Sequence, residues 1–169
     1  MYLQAAGVLD ENLQPTERFV EVVVQARAAR GPEEFNALRA KMKKRCIECH
    51  SSPYVDDFFN AGDTIIKESD HVYAKAITAV QGLYRDGILE KPEGWKYAPD
   101  LVRYYDAKTS VELDLYLIFL EYRQRAFQGA FHASNDYMHW YGWAPLNEAV
   151  NRILEEVKRM RAEHERAMK

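Results

Sequence analysis

Cysteine is nearly absent from this chain of 169 residues: there are two, Cys46 and Cys49. Two residues between them make a poor structural staple and a good spacing for a redox pair or an attached group. A disulfide framework is therefore excluded as the basis of the fold. Long apolar runs are also missing, and no stretch approaches the roughly 20 apolar residues that a membrane span needs. Neither sign of charge dominates, with a formal net charge of −3, and apart from Lys41–Arg45 basic and acidic residues are interleaved. That balance gives no electrostatic reason to expect nucleic acid or an anionic membrane as partner. The start, Met1 to Asp10, lacks the basic beginning and the apolar middle of a secretion signal. Internal repeats and low-complexity segments are absent too.

What is present is helical periodicity around a sizeable apolar fraction, 47% of residues. Leu3–Leu9 reads as one or two helical turns, and Asp10–Pro15 as a turn. Thr16 suits an N-cap before a helix over Glu17–Arg30, in which Val22–Val24 alone would also suit a strand. Gly31 and Pro32 stop that helix and start another, with Pro32, Glu33 and Glu34 at its positive end. Phe35, Leu38, Met42, Cys46 and Cys49 keep a 3–4 spacing, so this helix runs into the cysteines. Ser51, Ser52 and Pro53 mark its end.

The most regular stretch follows. Phe58, Ile65 and Val72 are seven apart, as are Phe59, Ile66, Tyr73 and Val80. Two adjacent rows at that period predict a long packed helix over Tyr54–Tyr84, about 45 Å at ~1.5 Å per residue. Gly62 sits inside it at a cost of about 1 kcal/mol relative to alanine. Gly87–Thr109 reads as irregular. A helix N-capped by Ser110 runs to about Gly129, and its apolar Leu113–Leu120 segment is expected to be buried. A loop, Phe131–Trp143, follows. Pro145 opens the last helix, with a stripe of Leu146, Val150, Ile153, Leu154, Val157 and Met160 and a charged, exposed tail. The expected fold class is all-α, with long helices packed as a bundle. Residues 1–52 form the region bearing the cysteine motif and 53–169 the bundle tail, together one domain.

Cys46-Ile-Glu-Cys49-His50 is a C-x-x-C-H sequence. In c-type haem attachment two thiols at this spacing add to the two vinyl groups on one haem edge. The next residue is then held under the iron, where imidazole is the proximal ligand. Two other readings stand beside it. Half a zinc site needs two more ligands, and His71, His132, His139 and His164 form no H-x3–5-H pair. A thioredoxin-like redox pair needs a strand–helix context, which the sequence does not offer. Covalent haem attachment occurs outside the cytoplasm, so a periplasmic or otherwise extracytoplasmic location is expected, with an export signal that this chain does not carry. His71 and His164 lie on charged helical stretches and read as solvated. His132 and His139 each read equally as a distal haem ligand or as a satisfied structural histidine. Trp140, Tyr141 and Trp143 read first as packing residues.

The position of the motif, in the first third of the chain ahead of a long helical region, is unlike small one-haem carriers and four-helix-bundle cytochromes. The chain resembles instead the C-terminal third of the octahaem hydroxylamine oxidoreductase family. The resemblance covers nearly the whole chain. It rests on Ala6–Asn12 ahead of a helix, on the motif itself, on Tyr54–Asp63 straight after it, and above all on Gly129–Gly142. It implies an extracytoplasmic homotrimer with closely packed haems, a redox partner cytochrome, and oxidation of hydroxylamine or hydrazine, or the reverse nitrite reduction. It also implies that this segment contributes one electron-transfer haem c, held by Cys46, Cys49 and His50, and a helical trimerisation tail. In oxidising members a tyrosine cross-links to a neighbouring subunit's catalytic haem. The resemblance puts it in Asp136–Gly142, Tyr137 ahead of Tyr141. The family carries eight haem motifs and this chain one, so the chain is not expected to be catalytic alone. It is expected to act with a remaining multihaem region or subunit. The alternative is a stand-alone one-haem electron-transfer protein.

Overall fold

The computed structural model describes residues 2–21, 31–100 and 108–169, and these are helical throughout apart from turns and one irregular stretch. Among them there is no strand, only an isolated bridge between Leu9 and Pro15. The elements are α1 (Tyr2–Ala5), α2 (Glu17–Phe19), α3 (Pro32–Ile47), α4 (Ser52–Arg85), α5 (Ser110–Leu117), α6 (Arg123–Phe131), α7 (Asn135–Tyr137) and α8 (Ala144–Ala167). A π-helical turn at Ile118–Tyr122 joins α5 to α6, and another at Met138–Trp143 joins α7 to α8. The expected helix beyond Glu21, with Val22–Val24, and the aromatic residues Tyr104 and Tyr105 lie outside the described residues.

Both well-formed stops use glycine. Gly7 (φ 72°) ends α1 and Gly87 (φ 71°) ends α4. In each, the glycine N–H reaches the carbonyl three residues back, and the next N–H reaches the one five back: Gly7 to Gln4 with Val8 to Leu3, and Gly87 to Tyr84 with Ile88 to Leu83. This double bond pattern satisfies carbonyls that a helix end leaves bare, and it needs a left-handed residue. Asp10–Pro15 turns around the Asp10 carboxylate, which accepts from the Asn12 and Gln14 N–H groups at 2.9 and 2.8 Å. Thr16 precedes α2, but its hydroxyl donates back to Gly7 and Val8 rather than capping the helix.

The long helix α4 has 34 residues, about 51 Å at ~1.5 Å per residue. Val55, Phe59, Gly62, Ser69, Tyr73, Ala76, Val80 and Leu83 are buried along it. With half-buried Ile66 they step strictly four, three, four, three, the 3.5-residue seam of packed helices. Of the two rows read from sequence, the one through Phe59 is this seam. The row through Phe58 flanks it, half-buried. The partner seam on α8 is Leu146, Val150, Ile153 and Val157. Around them Ile77, Val111, Leu115 and Ile118 complete the core, and Val8 of the N-terminal segment closes one side.

Three expectations need correction. The N-cap of α5 is Thr109, not Ser110, because Glu112 reaches back to accept the Thr109 N–H at 3.0 Å, the reciprocal bond of a capping box. The apolar segment Leu113–Leu120 is not buried all round. Val111, Leu115 and Ile118 face α4 and α8, while Leu113 and Leu120 are about half exposed, at 50% and 51%, because nothing in the described residues covers the outer face. Finally, Phe131–Trp143 is not a loop. Only residues 132–134 turn, and a continuous helical run begins at Asn135. Asn135 and Asp136 are its first-turn residues, where short polar and acidic side chains suit the N-terminal dipole. Pro145 lies within that run. Its ring would press on the carbonyl four residues back, and the widened turn at Met138–Trp143 sits at that point, as π-helical insertions do where the α ladder is interrupted.

Candidate functional site: a cysteine–histidine cleft at one end of α4

The C-x-x-C-H motif forms the junction between α3 and α4. Cys46 is in the last turn of α3, and the Cys49 and His50 N–H groups both donate to its carbonyl, at 3.2 and 3.0 Å. One tight turn thus carries both thiols and the imidazole. Ser51 precedes α4 in extended conformation, and Pro53 falls in its first turn, where a missing N–H costs nothing. Both cysteines are free thiols, Cys46 half-buried and Cys49 exposed. The His50 ring stacks on Tyr54, with centroids 5.0 Å apart and planes 29° apart.

A cleft of about 260 Å³ opens beside this turn. Its apolar wall is Met42, Val55, Phe58, Phe131 and Ala133, and its polar groups come from Cys46, His50, Tyr54 and His132. His132 is 82 residues from His50 in sequence and arrives on the short turn between α6 and α7. That turn is held by Ala133 in the left-handed region (φ 55°) and by a Ser134 N–H to Gly129 carbonyl bond of 3.0 Å. The His132 Nδ1 lies 2.7 Å from the Gln128 carbonyl oxygen. A carbonyl can only accept, so Nδ1 donates this bond, and the tautomer that makes it carries its lone pair on Nε2. Metal-ligating histidines are oriented in this way.

His139 does not line this cleft. Its ring meets Trp140 edge-on at 4.8 Å, and both are exposed. Of the two histidines read as distal candidates, the fold therefore brings only His132 to the motif. Tyr137 is half-buried and stacks on Tyr141, centroids 5.3 Å apart and planes 29° apart. It lines a second recess of about 430 Å³ with Gln128, Gly129, Ser134 and His132. His132 is thus shared between the cysteine cleft and the tyrosine recess. His71 and His164 line neither.

The support beneath the cleft is tight at two glycines. A Cβ on Gly129 would lie 2.5 Å from the Met138 nitrogen, and one on Gly142 would lie 2.3 Å from the Ala126 nitrogen. α6 and the helical run from Asn135 therefore form a hairpin whose two arms touch through their backbones. Sequence reading missed Met42, Phe58 and Phe131 as cleft walls. Phe58 and Met42 carried a signal, since their rows point to the same end of the molecule as the cysteines.

The arrangement suits some chemistries and not others. Among the described residues no strand stands beside the cysteines, so a thioredoxin-like setting is absent. Nor is there, among them, a cluster of three or more His, Cys, Asp or Glu side chains able to hold a metal ion, as zinc would need. Two free thiols, an adjacent imidazole, a second imidazole with Nε2 free and an apolar wall fit a c-type haem. At about 260 Å³ the cleft is smaller than the roughly 300–1,000 Å³ of pockets that enclose a small ligand, so it would cover only part of a macrocycle.

No protein-family model matches the chain, and no curated protein matches its sequence. Its all-α fold is shared with a solved structure, a chain of the Kuenenia stuttgartiensis reducing HAO-like protein complex, with a TM-score of 0.71 at 19% sequence identity. The match covers 96% of this chain and 42% of that one, so the chain spans about two fifths of its structural neighbour's length. At this identity the likeness speaks for the fold. No helix among the described residues is long and apolar enough to cross a membrane.

Proposed function

We propose that this chain holds one haem c and acts as an electron-transfer segment of a multihaem oxidoreductase of the hydroxylamine oxidoreductase type. The observation that carries the reading is the joint lining of one apolar-walled cleft by Cys46, His50 and His132. Cys46 and Cys49 would hold the haem as thioethers, and His50 and His132 would be the imidazoles that ligate its iron. Haem bound there supplies reversible one-electron transfer. The chain's own residues fix the two imidazoles, cover one face with Met42, Phe58 and Phe131, and leave the rest to another segment. Residues 1–52 and 53–169 work as one unit in this reading, in an extracytoplasmic trimer with a partner cytochrome.

Two features favour a segment of something larger. The structural neighbour, a chain of a complex, is more than twice as long. In addition, α3 has no buried residue, and it exposes Phe35, Leu38 and Met42 on one stripe leading to the cleft. One observation favours a stand-alone one-haem carrier: the second imidazole comes from this chain and needs no partner. The oligomeric state of the haem-loaded protein separates the readings. A monomer with low-spin haem that stays soluble at high concentration supports the carrier, and association supports the segment.

The test of the central claim is chemical. Protein matured with the cytochrome c machinery should retain its haem through acid–acetone extraction, with the added mass on the peptide containing Cys46 and Cys49. Complete extraction, or stoichiometric zinc instead, refutes it. For the tyrosines, we assign the cross-link expected of oxidising members to the stacked Tyr137–Tyr141 pair, Tyr137 first. Their helical setting removes the projecting loop as its means of reaching a neighbour, and the exposed Tyr141 ring is the more accessible of the two. Peptide mapping of the assembled enzyme with Tyr137→Phe and Tyr141→Phe decides which residue reacts. No cross-link in the parent places the protein on the reducing side, the side for which the structural neighbour is named.

A further inference from the structure

We propose that Gly62, in the first half of α4, is a positioning residue that sets where His132 stands in the cysteine–histidine cleft. The inference rests on the haem reading above and concerns a residue that touches neither the motif nor His132. Helix propensity alone would favour alanine at this place, so a glycine in a buried seam position calls for a close neighbour. That neighbour is Phe131: a Cβ on Gly62 would lie 3.2 Å from two of its ring atoms and 3.5 Å from a third. The ring also meets Phe59 at a centroid distance of 6.0 Å and Phe127 at 4.9 Å, so it is held on three sides. Phe131 is the last residue of α6 and immediately precedes His132, and both line the cleft.

Any methyl group on Gly62 must move the ring by a few tenths of an ångström. The hairpin cannot absorb that movement by sliding, because its arms already touch backbone to backbone at Gly129 and Gly142. The displacement therefore passes to the turn that carries His132. In effect, the missing side chain of Gly62 is the seat of Phe131, and the depth of that seat places the second imidazole.

The experiment uses the full chain with haem attached and reads the ferric spin state by absorption and electron paramagnetic resonance. The parent is expected to be low-spin and His132→Ala to convert it to high-spin. Gly62→Ala is expected to keep the covalent haem and the helical circular dichroism, yet raise the high-spin fraction clearly above that of the parent. Gly62→Ser puts a larger side chain on the same seat and should raise the high-spin fraction further than Gly62→Ala. A purely structural glycine would lower the melting temperature without moving the spin state. If His132→Ala leaves the parent spectrum unchanged, the distal ligand is wrong and this proposal falls with it. If His132→Ala acts but neither Gly62→Ala nor Gly62→Ser moves the spin state, the positioning role alone is overturned. Should Gly62→Ala give no folded protein, Phe131→Trp presses on the same seat from the other side. It should raise the high-spin fraction, and an unchanged spectrum would overturn the proposal.

Discussion

The two ends of α4 live in different physical worlds. Its second half, from Ser69 to Leu83, is packed against α1, α5 and α8 and supplies Tyr73, Ile77, Val80 and Leu83 to the core. Its first half carries α3 alongside, and α3 buries nothing. There the contact is made by charge: Arg39 grips Asp63 with both guanidinium nitrogens, at 3.0 and 2.6 Å, and Lys43 meets Asp56 at 2.7 Å. Arg39 and Lys43 also lie over the Phe59 ring. Apolar burial is worth about 25 cal/mol per Å², whereas an exposed pair such as Lys43–Asp56 is worth ~0–1 kcal/mol and the part-buried Arg39–Asp63 pair somewhat more. The core end is thus a scaffold, and α3 with its cysteine turn is an attachment held lightly on the first half of α4, whose Val55 and Phe59 stay buried against α6.

The comparison can be broken or sharpened by measurement. The largest effect should be chemical and confined to the open end. Replacing Cys46 and Cys49 together by serine should abolish covalent haem entirely, while the melting temperature of the haem-free protein stays unchanged; a coupled loss of fold would erase the distinction between the two ends. Next comes the scaffold. Ile77→Ala should cost on the order of 3 kcal/mol in urea unfolding, as large-to-small changes at fully buried sites do. Leu38→Ala on α3 should stay within ~0.5 kcal/mol, and equal costs would contradict the comparison.

A smaller effect is expected at the half-buried pair on α4 and α6. Arg123 Nε donates to Asp70 and the guanidinium lies 4.6 Å over the Tyr2 ring. Burial is the largest influence and works against the Arg123 charge, but the Asp70 hydrogen bond together with the charge interactions with Tyr2, Asp70 and Tyr73 outweighs it and holds the group above its usual range. Burial also pushes the Tyr2 hydroxyl up. Asp70→Ala leaves that cation without its acceptor and should cost about 2 kcal/mol. Smaller again, Arg39→Ala should cost less than ~1 kcal/mol, and that cost should shrink as salt is added. The least effect belongs to Asp86, whose carboxylate accepts from Arg85 and Arg161. The Arg85 hydrogen bond is the main reason its folded pKa lies below the usual 3.8. Its contribution is therefore present above the unfolded value and lost as pH falls through the folded one. A carboxyl titration followed by nuclear magnetic resonance should give a midpoint below 3.8, and a midpoint above it would discard the pairing.

Local information determined much of this protein without help. The helical class, the extent of α4, the proline start of α3 and the end of α3 in the cysteine motif all follow from spacing and caps within a few residues of one another. So does the single tight turn that carries Cys46, Cys49 and His50 together, because their spacing is purely local. What tertiary structure alone decided is which distant residues join them. His132 and His139 look alike in sequence, each among aromatics. The left-handed Ala133, the seat of Phe131 on Gly62 and the touching arms at Gly129 and Gly142 put His132 at the cleft and leave His139 outside it. The same holds for burial. Leu113, Leu120 and Phe35 are as apolar as Leu115 and Ile118, and only the positions of α4 and α8 determine which of them are covered. Periodicity tells a helix which residues share a face, but the free energy of burial depends on what stands opposite that face, and that is a property of the assembled fold.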